Sequence, residues 1–149
     1  MTPMDLASAF RSSYLWSGLT GSQIDRLSLL AEEKTFDGGA TMVRQFAKDS
    51  DLMIILEGTA RINTFSGDMI GEAGPGSVVG EISLVDDKPR SATVVASGRC
   101  RAAVIRSSEL WSVMEEEPVI AKVVLLNIAK ILCARLRNAN VQLDLAVKN

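Results

Sequence analysis

Apolar positions change their spacing twice along the chain, and these changes divide it into three regions. Up to about residue 33 they recur at helical spacing, and Thr20 with Gln23 has the spacing of a capping box, which predicts N-terminal helices over about 15–33. From about 34 to 106, short apolar runs alternate with turn residues, a pattern typical of strands. From about 107 to 145 the helical spacing returns.

The middle region predicts a small antiparallel β-roll or jelly roll, because short strands separated by glycine-containing turns favour that architecture. Alternation is visible within Ser91–Ala96, where Ala92, Val94 and Ala96 fall on one face. We therefore predict an α+β fold, a single domain over residues 1–149, in which N-terminal helices and a long C-terminal helix flank the roll. The apolar runs are Leu52–Leu56, Ile62–Phe65, Ala92–Ala96 and Ala102–Ile105.

The last helix, which Pro118 can begin, carries a long apolar stripe. The first half of the stripe is predicted to join the core, and the second half predicts a homodimer through this helix. The stripe consists of Leu125, Ile128, Leu132, Leu136, Ala139, Leu143 and Ala146.

Composition excludes several function classes. Of 149 residues, 47% are hydrophobic and 23% charged, the balance of a folded soluble protein, and the net charge of −2 lacks the basic excess of a duplex-binding surface. The chain has no histidine, the commonest general base and metal ligand. We therefore expect no enzyme, no metal, no cofactor and no direct DNA binding.

The chain is predicted to be cytoplasmic and to have no membrane segment. Its most apolar stretch, Ile120–Leu136, is interrupted by charged and amide side chains, and the N-terminus lacks the features of a secretory signal. The two cysteines, Cys100 and Cys133, are isolated in sequence, which indicates buried small hydrophobes of an intracellular protein rather than metal ligands.

Candidate chemistry is concentrated in the segment from Gly74 to Val94. Gly80 and Glu81 open a brief apolar helical turn, where a glycine lets backbone N–H groups approach an anion closely. Arg90 stands at the mouth of a strand, and its planar fork can grip a phosphate with two hydrogen bonds. Glu81 supplies an acceptor for ribose hydroxyls.

This segment resembles the phosphate-binding cassette of cyclic-nucleotide-binding domains. The resemblance rests on Gly80-Glu-Ile-Ser-Leu84 followed, after a short gap, by Pro89-Arg-Ser-Ala-Thr-Val94. It extends over roughly residues 15–140, with a family-like strand and glycine turn at Leu52–Gly58. The family includes the regulatory subunits of cAMP-dependent protein kinase, cyclic-nucleotide-gated channels and the bacterial catabolite activator protein.

The resemblance implies a regulatory sensor whose ligand is cAMP or cGMP, with cAMP favoured, and whose C-terminal helix moves on binding. Arg90 would pair with the cyclic phosphate, Glu81 would accept from the ribose 2′-hydroxyl, and the backbone of Ser83 and Ser91 would face the phosphate. The C-terminal helix would cap the base, with Asn138 and Asn140 as the polar candidates for base contacts. The implied ligand-binding set is Gly80, Glu81, Ile82, Ser83, Arg90, Ser91 and Ala92.

Two departures from the family pattern leave alternatives open. The loop Gln45–Asp51 has Phe46 and Asp49 where the family usually carries glycines, which we expect to affect the turn more than binding. The chain shows no helix-turn-helix pattern after its last helix. One alternative is the sensor half of a transcription regulator, and the other is a degenerate interaction module in which Glu81 and Arg90 pair with each other and bind no nucleotide. The output partner is unknown.

Overall fold

The computed structural model describes residues 3–64 and 66–148 and begins with helical elements. These are α1 (Pro3–Arg11), a 3₁₀ turn (Tyr14–Trp16) and α2 (Gly21–Ser28). The predicted capping box is present, since the Thr20 hydroxyl accepts from the Gln23 N–H and the Gln23 side chain accepts from the Thr20 N–H. The predicted helical range of 15–33 differs from the structure at both ends. Its end is too late, because Glu32 already lies in a strand and pairs with Val104. Its start is too late as well, because α1 precedes residue 15.

Within residues 3–64 and 66–148, eight strands form two antiparallel four-stranded sheets, which confirms the predicted roll. One sheet has the order β1-β8-β3-β6 and the other has the order β2-β7-β4-β5. The strands are β1 (Glu32–Phe36), β2 (Thr41–Val43), β3 (Leu52–Glu57), β4 (Ala60–Asn63), β5 (Met69–Ala73), β6 (Val78–Val79), β7 (Thr93–Ala96) and β8 (Cys100–Ile105). The four predicted runs correspond to β3, β4, β7 and β8, although Phe65 lies outside the described residues.

Strand β3 explains why the roll has two cores. Its residues Leu52–Leu56 are all buried, and alternate side chains point to opposite faces of the sheet. Ile54 belongs to a core shared with the helices, whereas Ile55 belongs to a core between the two sheets. A strand covered on both faces reads as a continuous apolar run, which is the pattern of this segment.

Three further helices follow or interrupt the roll: α3 (Glu81–Asp86), α4 (Ser107–Glu116) and α5 (Pro118–Lys148). Helix α5 begins at Pro118 as predicted. Its first half is held to the 3₁₀ turn by the buried Asn127, whose Nδ2 donates to the carbonyls of Leu15 and Ser17, each at 2.9 Å.

The second half of α5 leaves the body of the domain. Every residue from Cys133 to Val147 is exposed, including large apolar side chains such as Leu136 and Leu143. The prediction that both cysteines are buried is therefore right for Cys100 and wrong for Cys133. No helix within residues 3–64 and 66–148 combines the length and apolar character needed to cross a bilayer.

Candidate functional site

The cassette is built around an abrupt change of chain direction after β6. Gly80 adopts the left-handed conformation, with φ of +94°, and forms the N-cap of α3, so that Glu81 is the first helical residue. Helix α3 ends at Asp86, and its C-cap Asp87 is also left-handed, with φ of +55°, before the chain returns through Arg90 into β7. A glycine is favoured at position 80 because L-residues rarely adopt this backbone conformation.

All seven residues that the resemblance assigned to the ligand line one cavity between α3, β7 and α5. They share it with an apolar wall that includes Val43 and Ile62 and with Arg135 of α5. Asn138 and Asn140 are exposed and do not line this cavity, so the structure does not bring them together with the cassette. Their suggested role in contacting a base stays a prediction.

Arg90 is held in place by four hydrogen bonds to other parts of the protein. Its side chain is only 2% exposed. Nε and Nη2 donate to the two carboxylate oxygens of Asp49, at 3.2 and 3.1 Å. Nη2 also donates to the Asp51 carbonyl at 2.6 Å, and Nη1 donates to the Gly80 carbonyl at 3.3 Å. Because a guanidinium has five N–H groups, one N–H of Nη1 has no partner among these four bonds.

The loop from Gln45 to Asp51 contributes more to the site than its sequence suggested. Phe46 adopts φ of +72°, so the loop makes a glycine-like turn without a glycine. The expectation that the departures matter chiefly for the turn is incomplete, because the Asp49 carboxylate contacts the guanidinium of Arg90. Backbone bonds from Phe46 N–H to the Arg90 carbonyl and from Arg90 N–H to the Ala47 carbonyl fix the loop against the cassette.

Glu81 is the second buried charge of the cavity. Its side chain is 2% exposed, and it forms an ion pair with the guanidinium of Arg135, which is 47% exposed. The arrangement in which Glu81 and Arg90 pair with each other is therefore wrong: each has its own partner, one on α5 and one in the loop before β3. Arg135, rather than either asparagine, is the polar residue that α5 brings to this cavity.

Tyr14 of the 3₁₀ turn belongs to the same electrostatic environment. Burial raises its pKa to about 12, the negative charge of Glu81 adds to the rise, and Arg135 and a hydrogen bond to the Val78 backbone oppose it. The hydroxyl therefore stays protonated beside the Glu81–Arg135 pair at neutral pH. Sequence reasoning missed Tyr14, Asp49 and Arg135 because all three lie outside the contiguous cassette.

The cassette is also joined to the C-terminal helices. Trp111 of α4 donates from Nε1 to the carbonyl of Leu84 in α3, at 3.2 Å. Leu84 itself is buried in the core that includes residues of α4 and α5. Helix α3 thus shares a core with residues of both C-terminal helices.

Within the described residues, no three cysteine, aspartate or glutamate side chains are grouped as a metal site.

Comparison with known proteins decides the family. The sequence profile described as "Cyclic nucleotide-binding domain" matches residues 33–117, which is more than half of the chain. The chain belongs to the cyclic nucleotide-binding domain family. The match includes the whole cassette from Gly80 to Val94.

Two curated relatives agree with this assignment. The Cyclic AMP receptor protein of Thermus thermophilus is 27% identical over 139 residues, which are 91% of this chain and 62% of that protein. The cAMP-dependent protein kinase regulatory subunit of Mycosarcoma maydis is 30% identical over 95 residues, which are 62% of this chain and 18% of that protein. The cyclic nucleotide-binding domain thus spans less than two thirds of the length of either relative.

A solved structure agrees on the fold. The crystal structure of the Thermus thermophilus Catabolite Activator Protein is similar to this domain with a TM-score of 0.78 and 27% identity, over 91% of this chain and 63% of that chain. The predicted α+β class, with its β-roll and long C-terminal helix, is confirmed.

Proposed function

We propose that this domain is a non-catalytic sensor that binds a cyclic nucleoside monophosphate in the cavity of the cassette. The observation that carries the proposal is that an arginine and a carboxylate, Arg90 and Glu81, are both buried against one cavity. Burying a charge costs free energy that pairing repays only in part, so two buried charges beside one cavity favour a functional role for that cavity. A ligand with an anionic phosphate at one end and hydroxyls on a sugar matches these two groups.

The ligand is proposed to lie with its phosphate at Arg90 and its ribose at Glu81. The guanidinium supplies the positive charge, and the N–H groups of the first turn of α3, at Ser83 and its neighbours, have no acceptor within their own helix. The Glu81 carboxylate accepts from the 2′-hydroxyl. The apolar wall at Val43 and Ile62 offers a surface for the flat base.

Among cyclic nucleotides we favour cAMP over cGMP. The hydroxyl of Ser91 at the cavity is compatible with either purine, so the choice is supported by the curated relatives. One of them is named as a cyclic AMP receptor and the other as a subunit of a cAMP-dependent kinase.

The signal is proposed to pass through α5. Glu81 can accept from the ribose or pair with Arg135, and a sugar hydroxyl that competes for the carboxylate weakens the contact that holds α5 to the cassette. A ligand shifts a conformational equilibrium only by its differential affinity for the two states. The Glu81–Arg135 pair supplies such a difference, and the Trp111–Leu84 hydrogen bond supplies a second connection.

The proposed macromolecular partner is a second copy of this chain. On the exposed half of α5, apolar residues recur in a heptad pattern, which is the spacing of a coiled-coil seam. A dimer through this surface would place two cassettes on a common pair of helices, and the mass of the domain in solution would show whether it forms. The exposed heptad residues are Leu136, Ala139, Leu143 and Ala146, and they continue the spacing of Leu132, which packs against the core.

One observation favours a second candidate, an interaction module that binds no nucleotide. Both buried charges already have protein partners, Asp49 for Arg90 and Arg135 for Glu81. A cassette whose charges are satisfied internally could persist as a structural feature. Titration with nucleotide separates this candidate from the sensor.

Isothermal titration of the domain with cAMP and with cGMP tests the proposal. A charge-assisted hydrogen bond contributes about 1.5–3 kcal/mol, so we expect Arg90→Ala to weaken cAMP binding by roughly a hundredfold. Arg90→Lys keeps the charge without the planar fork and should be intermediate. Arg99→Ala, which removes an exposed arginine from the β7–β8 turn, is the control. Circular dichroism establishes that each variant is folded. Equal cAMP affinity of wild type and Arg90→Ala would contradict the proposed sensor. So would the absence of binding of either nucleotide to wild type.

A further inference from the structure

The contact between Asp49 and Arg90 has a consequence for affinity, and this inference rests on the proposed function. We propose that Asp49 sets the nucleotide affinity of this domain: its fixed negative charge neutralises Arg90, so the site binds a cyclic phosphate more weakly than the same site with a neutral residue at position 49. The two carboxylate oxygens of Asp49 accept from Nε and Nη2 at 3.2 and 3.1 Å.

Charge balance at the cavity supports this role. Three charged side chains line the cavity, and with Asp49 behind Arg90 they form two neutral pairs, Arg90 with Asp49 and Glu81 with Arg135. A cyclic phosphodiester carries one negative charge, so its binding adds an unbalanced charge to a site whose net charge is zero. Without the Asp49 carboxylate, the same four positions would carry one positive charge.

The position of Asp49 makes its charge effective without making it part of the cavity wall. Asp49 does not line the cavity, and its side chain is 53% exposed, whereas the Arg90 side chain is 2% exposed. The carboxylate therefore acts on the ligand through the guanidinium that lies between them. Over a distance of about 7 Å, one unit charge changes affinity by roughly threefold at the dielectric constant of water and roughly fiftyfold at that of a protein surface. The half-exposed carboxylate of Asp49 falls between these limits, which we take as about tenfold.

Asp49 is not the only group that orients Arg90, and this allows its charge to be removed alone. The Asp51 carbonyl accepts from Nη2 at 2.6 Å and the Gly80 carbonyl accepts from Nη1 at 3.3 Å, and both bonds come from the backbone. An asparagine at position 49 keeps one oxygen that can accept from the guanidinium. Asp49→Asn should therefore leave Arg90 close to its present position while removing the opposing charge.

The test is a titration of wild type and Asp49→Asn with cAMP at about 50 mM and 300 mM salt. We expect Asp49→Asn to bind about tenfold more tightly at the lower salt concentration and to lose more of its affinity than wild type at the higher one, because a site with net positive charge is screened more strongly. Thermal unfolding of the nucleotide-free protein should show a lower midpoint for Asp49→Asn, since the buried guanidinium loses its counter-charge.

The control is Asp37→Asn, which makes the same change in net charge at an exposed turn that does not line the cavity. It should leave affinity and salt dependence unchanged. Equal or weaker binding by Asp49→Asn, with wild type still binding, would overturn this inference and leave Asp49 as a residue that only orients Arg90. Absence of binding by both proteins would instead overturn the proposed function, and this inference with it.

Discussion

The α-carbon of Gly80 lies against the guanidinium of Arg90. A Cβ at position 80 would stand 2.8 Å from the Asp51 carbonyl oxygen and closer still to Nη1 of Arg90. The cassette thus uses glycine for two reasons at one position: its backbone has φ of +94°, and its missing side chain leaves room for the arginine. Local backbone geometry and the position of the Arg90 guanidinium are coupled through this contact.

Substitution of this glycine should therefore impair binding as well as folding. Gly39 has nearly the same backbone angle, φ of +87°, but a Cβ there would meet nothing within 4 Å. Gly39→Ala should cost only the conformational penalty, about 1 kcal/mol in urea unfolding, and should bind nucleotide normally. Gly80→Ala should incur that cost and also displace Arg90, with cAMP affinity falling at least tenfold. Equal affinity of the two variants would show that the Gly80–Arg90 contact is unimportant for binding.

The role of Glu81 can be tested by removing a hydroxyl from the ligand. If its carboxylate accepts from the ribose 2′-hydroxyl, wild type should bind 2′-deoxy-cAMP roughly tenfold or more weakly than cAMP, because hydrogen bonds to charged groups are among the stronger ones. In Glu81→Ala the ratio of the two affinities should fall to about one. The ratio is measured within each protein, so a general loss of stability in the variant cancels.

The exposed Glu72 provides the matched control, since Glu72→Ala removes a carboxylate that does not line the cavity. Its affinity ratio should equal that of wild type. A large ratio that persists in Glu81→Ala would assign recognition of the 2′-hydroxyl to another group.

The absorbance of Tyr14 at high pH should report on the environment of the cavity. It is the chain's only tyrosine, and its pKa is raised from 10.0 to about 12. At pH 11 the folded protein should keep about nine-tenths of this hydroxyl protonated, whereas the denatured chain should have lost about nine-tenths of the protons. Absorbance near 295 nm, followed with and without denaturant, measures both.

The stability that goes with this shift has a defined direction. Between pH 10 and 12 the unfolded chain has lost the Tyr14 proton and the folded chain has not, so the free energy of unfolding falls as pH rises through this window. Below pH 10 the contribution is fully present. Tyr14→Phe should lack this component of the pH dependence in urea unfolding. A folded-state midpoint near 10 in the absorbance titration would contradict the assignment.

The sequence could predict only those site residues that lie close to one another in the chain. The seven cassette residues fall within 80–92, so a local motif contains them, and the structure places all of them on one cavity. Asp49 and Arg135 approach from 41 and 45 residues away, counted from 90 to 49 and from 90 to 135. Their partners depend on how the loop and the helix pack, which no local pattern contains.

Helix α5 shows the same limit. Its existence and its start at Pro118 follow from periodicity, but the face that reaches the cavity depends on how the helix lies against the roll. Asn138 and Asn140 are the polar residues predicted to contact the base. The structure instead brings Arg135, three residues before Asn138, to the cavity. Three residues correspond to almost one helical turn. The sequence therefore predicted the helix, but not which of its turns contacts the cavity.

Asn127 gives α5 a fixed point in its first third. The buried bond from its amide to the Leu15 carbonyl and the partly buried bond to the Ser17 carbonyl fasten the helix to the N-terminal turn. Beyond Leu132 the helix runs on to Lys148, roughly 24 Å at 1.5 Å per residue. From Asn127 the helix extends about 12 Å to Arg135 and about 32 Å to Lys148, so a pivot of about 10° at Asn127 would move these two positions by about 2 Å and about 5 Å. Any displacement beside the cassette is therefore more than doubled at the end of the helix.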